Sequence, residues 1–248
     1  MKWIGLLILM TTNLCGDEMI AVRKSDDRGS SDLGWLSTQY TFSFSNYYDP
    51  NFMGFKTLRV INEDVIHPSK GFDMHSHSDM EILTYILDGT LEHIDTIGNH
   101  SKIAKGEFQL MEAGTGIKHS EFNPSKEKQV HLLQIWIKPE KKGLTPSYQQ
   151  KSFDDHVSGL KLVVSQDGSE DSLKIHQDAK IYLGRFLAQE KAEMNFAKDR
   201  HVWIQVVKGG IHANGHKLSR GDGVAISDVN RLKIESDDQS EFLLFDLK

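Results

Sequence analysis

Past Met19 the chain reads as short apolar runs cut by turn residues, without the three-to-four spacing of amphipathic helices. Thr57-Leu58-Arg59-Val60-Ile61 alternates apolar and polar positions, as a strand with one buried face does. Glu81 to Leu87 is a longer run that stops at Asp88-Gly89, a turn dipeptide. Thr90 to Asp95 follows as another strand, and Gly98-Asn99 fits a hairpin turn. Lys105-Gly106-Glu107 leads into Phe108 to Met111, Gly114-Thr115-Gly116 bends the chain again, and Leu132 to Ile137 closes this half.

The second half repeats the order. Val202 to Val207 ends at Lys208-Gly209-Gly210, and Ile211 to Ala213 runs into Asn214-Gly215, the strongest hairpin signal in the chain. Arg220-Gly221-Asp222-Gly223 turns into Val224 to Ile226, and Phe242 to Phe245 is the last strand. Strand, glycine turn, hairpin, basic-Gly-acidic turn and strand thus occur twice. The expectation is an all-β protein of two similar barrels. Residues 19–138 form the first, the polar stretch 139–148 is a linker, and 149–248 form the second.

Composition narrows the chemistry. The 248 residues, 38% of them hydrophobic, suffice for one large or two small cores. The net charge of −6 and the absence of a basic block exclude nucleic-acid binding by phosphate neutralisation. One cysteine, Cys15, allows no intramolecular disulfide and no thiolate zinc site, whereas histidine occurs 12 times. Any metal site must use nitrogen and oxygen.

Residues 1–18 stand apart. Lys2 precedes an apolar run, Trp3 to Met10, too short to span a bilayer as a helix. No A-x-A-like cleavage site follows, and Met19-Ile20-Ala21-Val22 reads as the start of a domain. The expectation is a dispensable extension and a cytoplasmic protein; the alternative is a weak export signal.

Two short segments carry candidate chemistry: His75-Ser76-His77 and His119-Ser120-Glu121. On a strand, residues i and i+2 share a face. Two such strands side by side aim three imidazoles and one carboxylate at a common point. Glu81, four residues after His77, has the same parity and is an alternative carboxylate. Three nitrogens and one oxygen leave open positions on an octahedral ion. Fe(II) suits this set, Mn, Ni and Cu also fit, and zinc is less suited. The histidines must be neutral to bind, so affinity falls in acid. Aligning Gly89 with Gly209 places Asn195 and Ala197 opposite His75 and His77, and aligning Gly106 with Gly221 places Ile234 and Ser236 opposite His119 and Glu121. Only the first barrel carries the donors.

The other histidines, His93 on a strand among them, read as surface or hydrogen-bonded residues. Phe72, Met74, Phe108, Met111 and Phe122 flank the donor segments and read as barrel core; the alternative is the wall of a pocket for a flat substrate.

The segments Gly71-Phe72-Asp73-Met74-His75-Ser76-His77-Ser78-Asp79-Met80-Glu81 and Ala113-Gly114-Thr115-Gly116-Ile117-Lys118-His119-Ser120-Glu121 resemble the two signature segments of the pirin family, within the cupin superfamily. Tyr40 to Pro50 and the Trp136 segment are similar too, and the resemblance runs from Met19 to the C-terminus. It implies a bicupin of two stacked, jelly-roll β-barrels with few short helices and metal only in the first. It implies His75, His77, His119 and Glu121 as the ligands, favouring Glu121 over Glu81. The chain most resembles the bacterial branch described as quercetin 2,3-dioxygenase. The implied chemistry is dioxygenation of a flavonol at that metal, with Glu121 accepting the proton of the 3-hydroxyl and the ring opening with loss of carbon monoxide. The partners implied are a small aromatic substrate and O2; no membrane partner is expected, and the sequence does not fix the oligomeric state, a monomer being the expectation. Two other functions remain open: a metal- or redox-responsive pirin regulating through protein partners, and Lewis-acid chemistry such as isomerisation.

Overall fold

A computed structural model describes residues 19–153 and 155–248, so the expectations for residues 1–18 fall outside the described residues. Strands dominate. The only helices among the described residues are two single 3-10 turns, Ser25–Asp27 and Ser169–Asp171. No described helix is long and apolar enough to cross a membrane.

The strands form two seven-stranded and two four-stranded sheets, and the two halves share one arrangement. In the first half the four-stranded sheet runs Gly71–His77, Ile117–Phe122, Thr90–Asp95, His100–Ala104. In the second it runs Lys191–Asn195, Arg231–Ser236, Gly210–Ala213, His216–Ser219, in the same order. The hairpin at Asn214-Gly215 forms as expected, both residues having positive φ (44° and 82°), the backbone that a type I′ turn requires. Gly89 and Gly209 hold matching positions in the repeat. Both have positive φ, and an added Cβ would press on the carbonyls of Gln129 and Gln239.

Each seven-stranded sheet is covered on both faces. One face closes its own barrel; the other meets the opposite seven-stranded sheet in a common core containing Leu83, Tyr85, Phe108 and Ile135 of the first half and Trp203, Leu243 and Phe245 of the second. Phe42 packs on Trp203 with ring centroids 4.8 Å apart. Double covering explains the unbroken apolar runs: Glu81–Ile86 and His201–Val206 are buried at every position. The outer four-stranded sheets face solvent on one side, and Arg231–Ser236 alternates exposed and buried throughout. Ile135 is wholly buried in the shared core. Ile135→Val is expected to lower the unfolding free energy by about 0.5–1.5 kcal/mol, seen as a lower urea midpoint at unchanged slope.

Two edges depart from the division read in the sequence. The polar stretch taken as a linker passes at Ser147 into a strand, Ser147–Ser152, that pairs with Glu107–Glu112 at the edge of the first barrel. Met19–Arg23, assigned to the first barrel, instead pairs with Gly223–Ser227 at the edge of the second. These strands occupy equivalent places in the two sheets, so each barrel has its open edge covered by chain from outside its own core.

Candidate metal centre

Gly71–His77 and Ile117–Phe122 lie antiparallel, with His119 opposite His75 and Ile117 opposite His77. The register then shifts. Glu121 lies opposite Phe72, so the Gly71–His77 strand carries one extra residue, a β-bulge. Beside the bulge, the Asp73 carbonyl accepts a hydrogen bond from His75 Nδ1–H at 2.8 Å. A carbonyl only accepts, so the proton in that bond sits on Nδ1, which in the neutral ring leaves the lone pair on Nε2.

The bulged pairing gathers three imidazoles. Ring centroids are 4.4 Å apart for His75 and His119, 5.0 Å for His77 and His119, and 4.8 Å for His75 and His77. Trp136 meets His77 edge-on at 5.0 Å. Donor atoms of the three histidines lie within 4.8 Å of one another. Burial, followed by the neighbouring imidazoles, pulls His77 down to about 4 and His119 down to about 3, so both rings are neutral at physiological pH. His119 Nε2 is buried with no hydrogen-bond partner. An unpartnered nitrogen beside two further imidazoles, that of His77 neutral, fits a divalent transition metal. His75 and His77 are partly exposed, so the cluster opens to solvent.

Glu121 is buried on the same strand and accepts from Gln134 Nε2 at 3.1 and 3.4 Å. Its carboxylate groups within 4.8 Å with His119 and His93, not with all three clustered histidines. His119 is common to both groups. His93 proves hydrogen-bonded but not superficial: it is wholly buried, 3.0 Å from Asp95 through Nε2 and 3.4 Å from His119 Nδ1 through its own Nδ1. The sequence signal was His93-Ile94-Asp95, a third alternating polar pair on the adjacent strand. Against the upward push of burial, hydrogen bonds from His93 and Asn99 hold the Asp95 carboxyl below its usual range. Tyr148, from the edge strand once read as linker, packs its ring 5.0 Å from His93.

Glu81 belongs elsewhere. With buried Glu112 and half-exposed His176 it forms a separate cluster against the second half, accepting from the His176 backbone N–H at 2.7 Å. The flanking residues divide as well. Phe108 stacks on Tyr85 in the shared core, Met111 packs with Ile82 and Ile117, and Phe72 meets Trp35, whereas Met74 is exposed. A polar cleft of about 560 Å3, lined by Arg28, Thr38, Glu63, His131 and Arg220 among others, contains none of the clustered donors.

The barrel interiors differ in the same sense. A row across the inner face of the first barrel reads Asn62, Gln134, Thr84, Gln109. The matching row of the second reads Tyr182, Leu244, Ile204, Val224. Glu121 pairs with His93 as Ile234 pairs with Ala213, so Ile234 and Leu232 stand where Glu121 and His119 stand. Met194, opposite Leu232, is the true counterpart of His75, and Phe196, whose N–H donates to the Asn230 carbonyl, that of His77, not Asn195 and Ala197. The connection to the next strand, starting at Glu81 and at His201, is one residue longer in the second half, which displaced the alignment by one residue. Both counterparts pack on the apolar core of the second barrel.

Two stacked barrels, one polar inside with a nitrogen and oxygen donor cluster and one filled with apolar side chains, define a two-domain cupin. Residues 21–137 match the Pirin family, and residues 162–247 match the quercetinase C-terminal cupin domain. The chain is 54% identical to a protein of Escherichia coli (strain K12) named quercetin 2,3-dioxygenase, over 92% of this chain and 99% of that one. It is 46% identical to a putative quercetin 2,3-dioxygenase of Pasteurella multocida, over 92% of this chain and the whole of the relative. Among solved structures, the bacterial pirin YhhW of Escherichia coli in complex with nickel(II) aligns at a TM-score of 0.90 and 54% identity, covering 92% of this chain and 99% of that one. The chain belongs to the pirin family.

Proposed function

We propose that the protein is a metal-dependent dioxygenase of the quercetin 2,3-dioxygenase type, with His75, His77, His119 and Glu121 as metal ligands and Glu121 also as the base. The observation that carries this is the buried, unpartnered His119 Nε2 facing His75 and His77 in a cluster open to solvent. The dioxygenase names of relatives that are 54% and 46% identical along almost their whole length support the reaction class.

A bound divalent transition metal, Fe(II) by preference, supplies Lewis acidity and a template for flavonol and O2. The chain supplies the rest. The His77 and His119 imidazoles stay neutral into acid, so they present lone pairs and not protons. Gln134 holds the Glu121 carboxylate on the inner face beside His119, where it would accept the proton of a bound substrate hydroxyl. Asp64 shares that inner face. Burial, with the charges of Glu121 and Glu63, pushes its carboxyl up to about 7 against a hydrogen bond from Thr38, which limits the negative charge beside Glu121. The partial exposure of His75 and His77 favours an enzyme over a sealed regulatory metal.

The test is to strip the protein of metal without oxygen and load it in turn with Fe(II), Mn, Ni, Cu and Zn. Quercetin is then added in air. Ring-opened product with one carbon monoxide per turnover is expected for at least one metal, Fe(II) first. Absence of both products with every metal excludes the quercetinase reading.

A further inference from the structure

We propose that Asp95 and His93 are positioning residues that lock His119 in the Nδ1–H tautomer and so keep its Nε2 lone pair directed at the metal site. The lock rests on hydrogen-bond logic; its purpose rests on the ligand role proposed above for His119.

The logic begins at Asp95. Its Oδ1 accepts from the backbone N–H groups of Ile97 at 3.0 Å and Asn99 at 2.9 Å. Its Oδ2 accepts from Asn99 Nδ2 at 2.8 Å and faces His93 Nε2 at 3.0 Å. A carboxylate held by that many donors acts as an acceptor, so His93 Nε2 carries a proton. In a neutral imidazole the other nitrogen is then a lone pair. His93 Nδ1 lies 3.4 Å from His119 Nδ1, and a hydrogen bond forms there only if His119 brings the proton. His119 is thereby fixed as Nδ1–H, with an unprotonated Nε2, the very atom that is buried without a partner.

The opposite tautomer fails twice. It would place a proton on a buried nitrogen that has no acceptor, and beside a neutral His93 it would also set two lone pairs against each other at 3.4 Å. His93 and Asp95 are buried, and the Tyr148 ring covers His93, so the rings have little room to rearrange. His75 is fixed by a different device, the Asp73 carbonyl. Histidine ligands commonly donate their second N–H to an oxygen; here an imidazole stands between ligand and carboxylate.

Asp95→Asn reverses the chain of bonds with little change of shape. The two backbone N–H groups on Oδ1 demand an oxygen there, so the amide nitrogen takes the Oδ2 position and donates to His93 Nε2 and to Asn99, whose side-chain amide turns over to present its oxygen in place of Nδ2. His93 then donates from Nδ1, and His119 moves its proton to Nε2, where it blocks a ligand.

Nitrogen-15 NMR of the metal-free protein at pH 7.5 should show His93 as Nε2–H and His119 as Nδ1–H, and both reversed in Asp95→Asn. Divalent metal affinity, measured by competition with a chelator, should fall about 10–100-fold in that variant. The proposal is overturned if wild-type His119 carries its proton on Nε2, if His93 is doubly protonated, or if Asp95→Asn keeps both tautomers and affinity. The wild-type spectrum does not depend on the variant folding. The expected tautomers in a chain that binds no metal would support the lock and remove the ligand reading.

Discussion

His119→Ala is expected to strip the protein of metal and of ring-opening activity together. Among the described residues, His119 alone belongs both to the group with His75 and His77 and to the group with His93 and Glu121. Its removal leaves two imidazoles on one strand and a carboxylate with no shared centre. Activity should drop to the background rate, a loss of at least about 10^6-fold for a typical enzyme. The stability effect is separate and smaller. Losing the ring opens a void and leaves His93 Nδ1 without a donor, together costing about 1–3 kcal/mol. Metal content by mass spectrometry and activity well below the melting temperature distinguish the two effects. A folded His119→Ala protein with wild-type metal content would defeat the proposed centre.

Glu112→Gln is expected to make the protein markedly more stable in mild alkali. Glu81 and Glu112 lie directly opposite each other on neighbouring strands, each 1% exposed, and each has an oxygen without a hydrogen-bond partner. Burial first, then the facing Glu112, pushes the Glu81 carboxyl far above its ordinary value of 4.5. The folded state therefore keeps a proton that the unfolded chain releases. With the folded value raised, the contribution is fully present below about pH 4.5 and is lost as pH rises toward the folded value. Within that window each pH unit removes up to about 1.4 kcal/mol. A glutamine at 112 keeps the acceptor for the Gly114 N–H and turns an N–H toward Glu81, so Glu81 can ionise in place. The variant should gain about 2–4 kcal/mol at pH 8 relative to wild type and little at pH 5. Urea unfolding at both values measures this; an unchanged slope of stability with pH would dismiss the shared-proton account.

What the sequence made legible follows from period-two geometry. His75, His77, His119 and Glu121 could be placed on inward faces because alternation alone decides a strand's faces. The runs at Glu81–Ile86 and His201–Val206 were legible as strands because sheets covered on both sides leave no polar alternation. The bulge was not legible, since an extra residue at Asp73 or Met74 shows only against the partner strand. It also determines why Glu121 pairs with Phe72 and groups with His93. Ser147–Ser152 was missed because Ser-Tyr-Gln-Gln-Lys-Ser is polar and its partner lies far back in the chain. His93 was visible as a residue, but its role depends on Asp95, Asn99 and His119 meeting in space.

The exchanged edge strands set a timetable for synthesis. Met19–Arg23 is made early, yet its partner Gly223–Ser227 follows roughly two hundred residues later. At about 5–20 residues per second, that is about 10–40 s during which an apolar strand has no native neighbour. The first barrel, by contrast, is complete once Ser152 has emerged and can close while the second is still being made. Pairing of Met19–Arg23 thus waits for a strand made near the end of synthesis, long after every strand of the first barrel is in place.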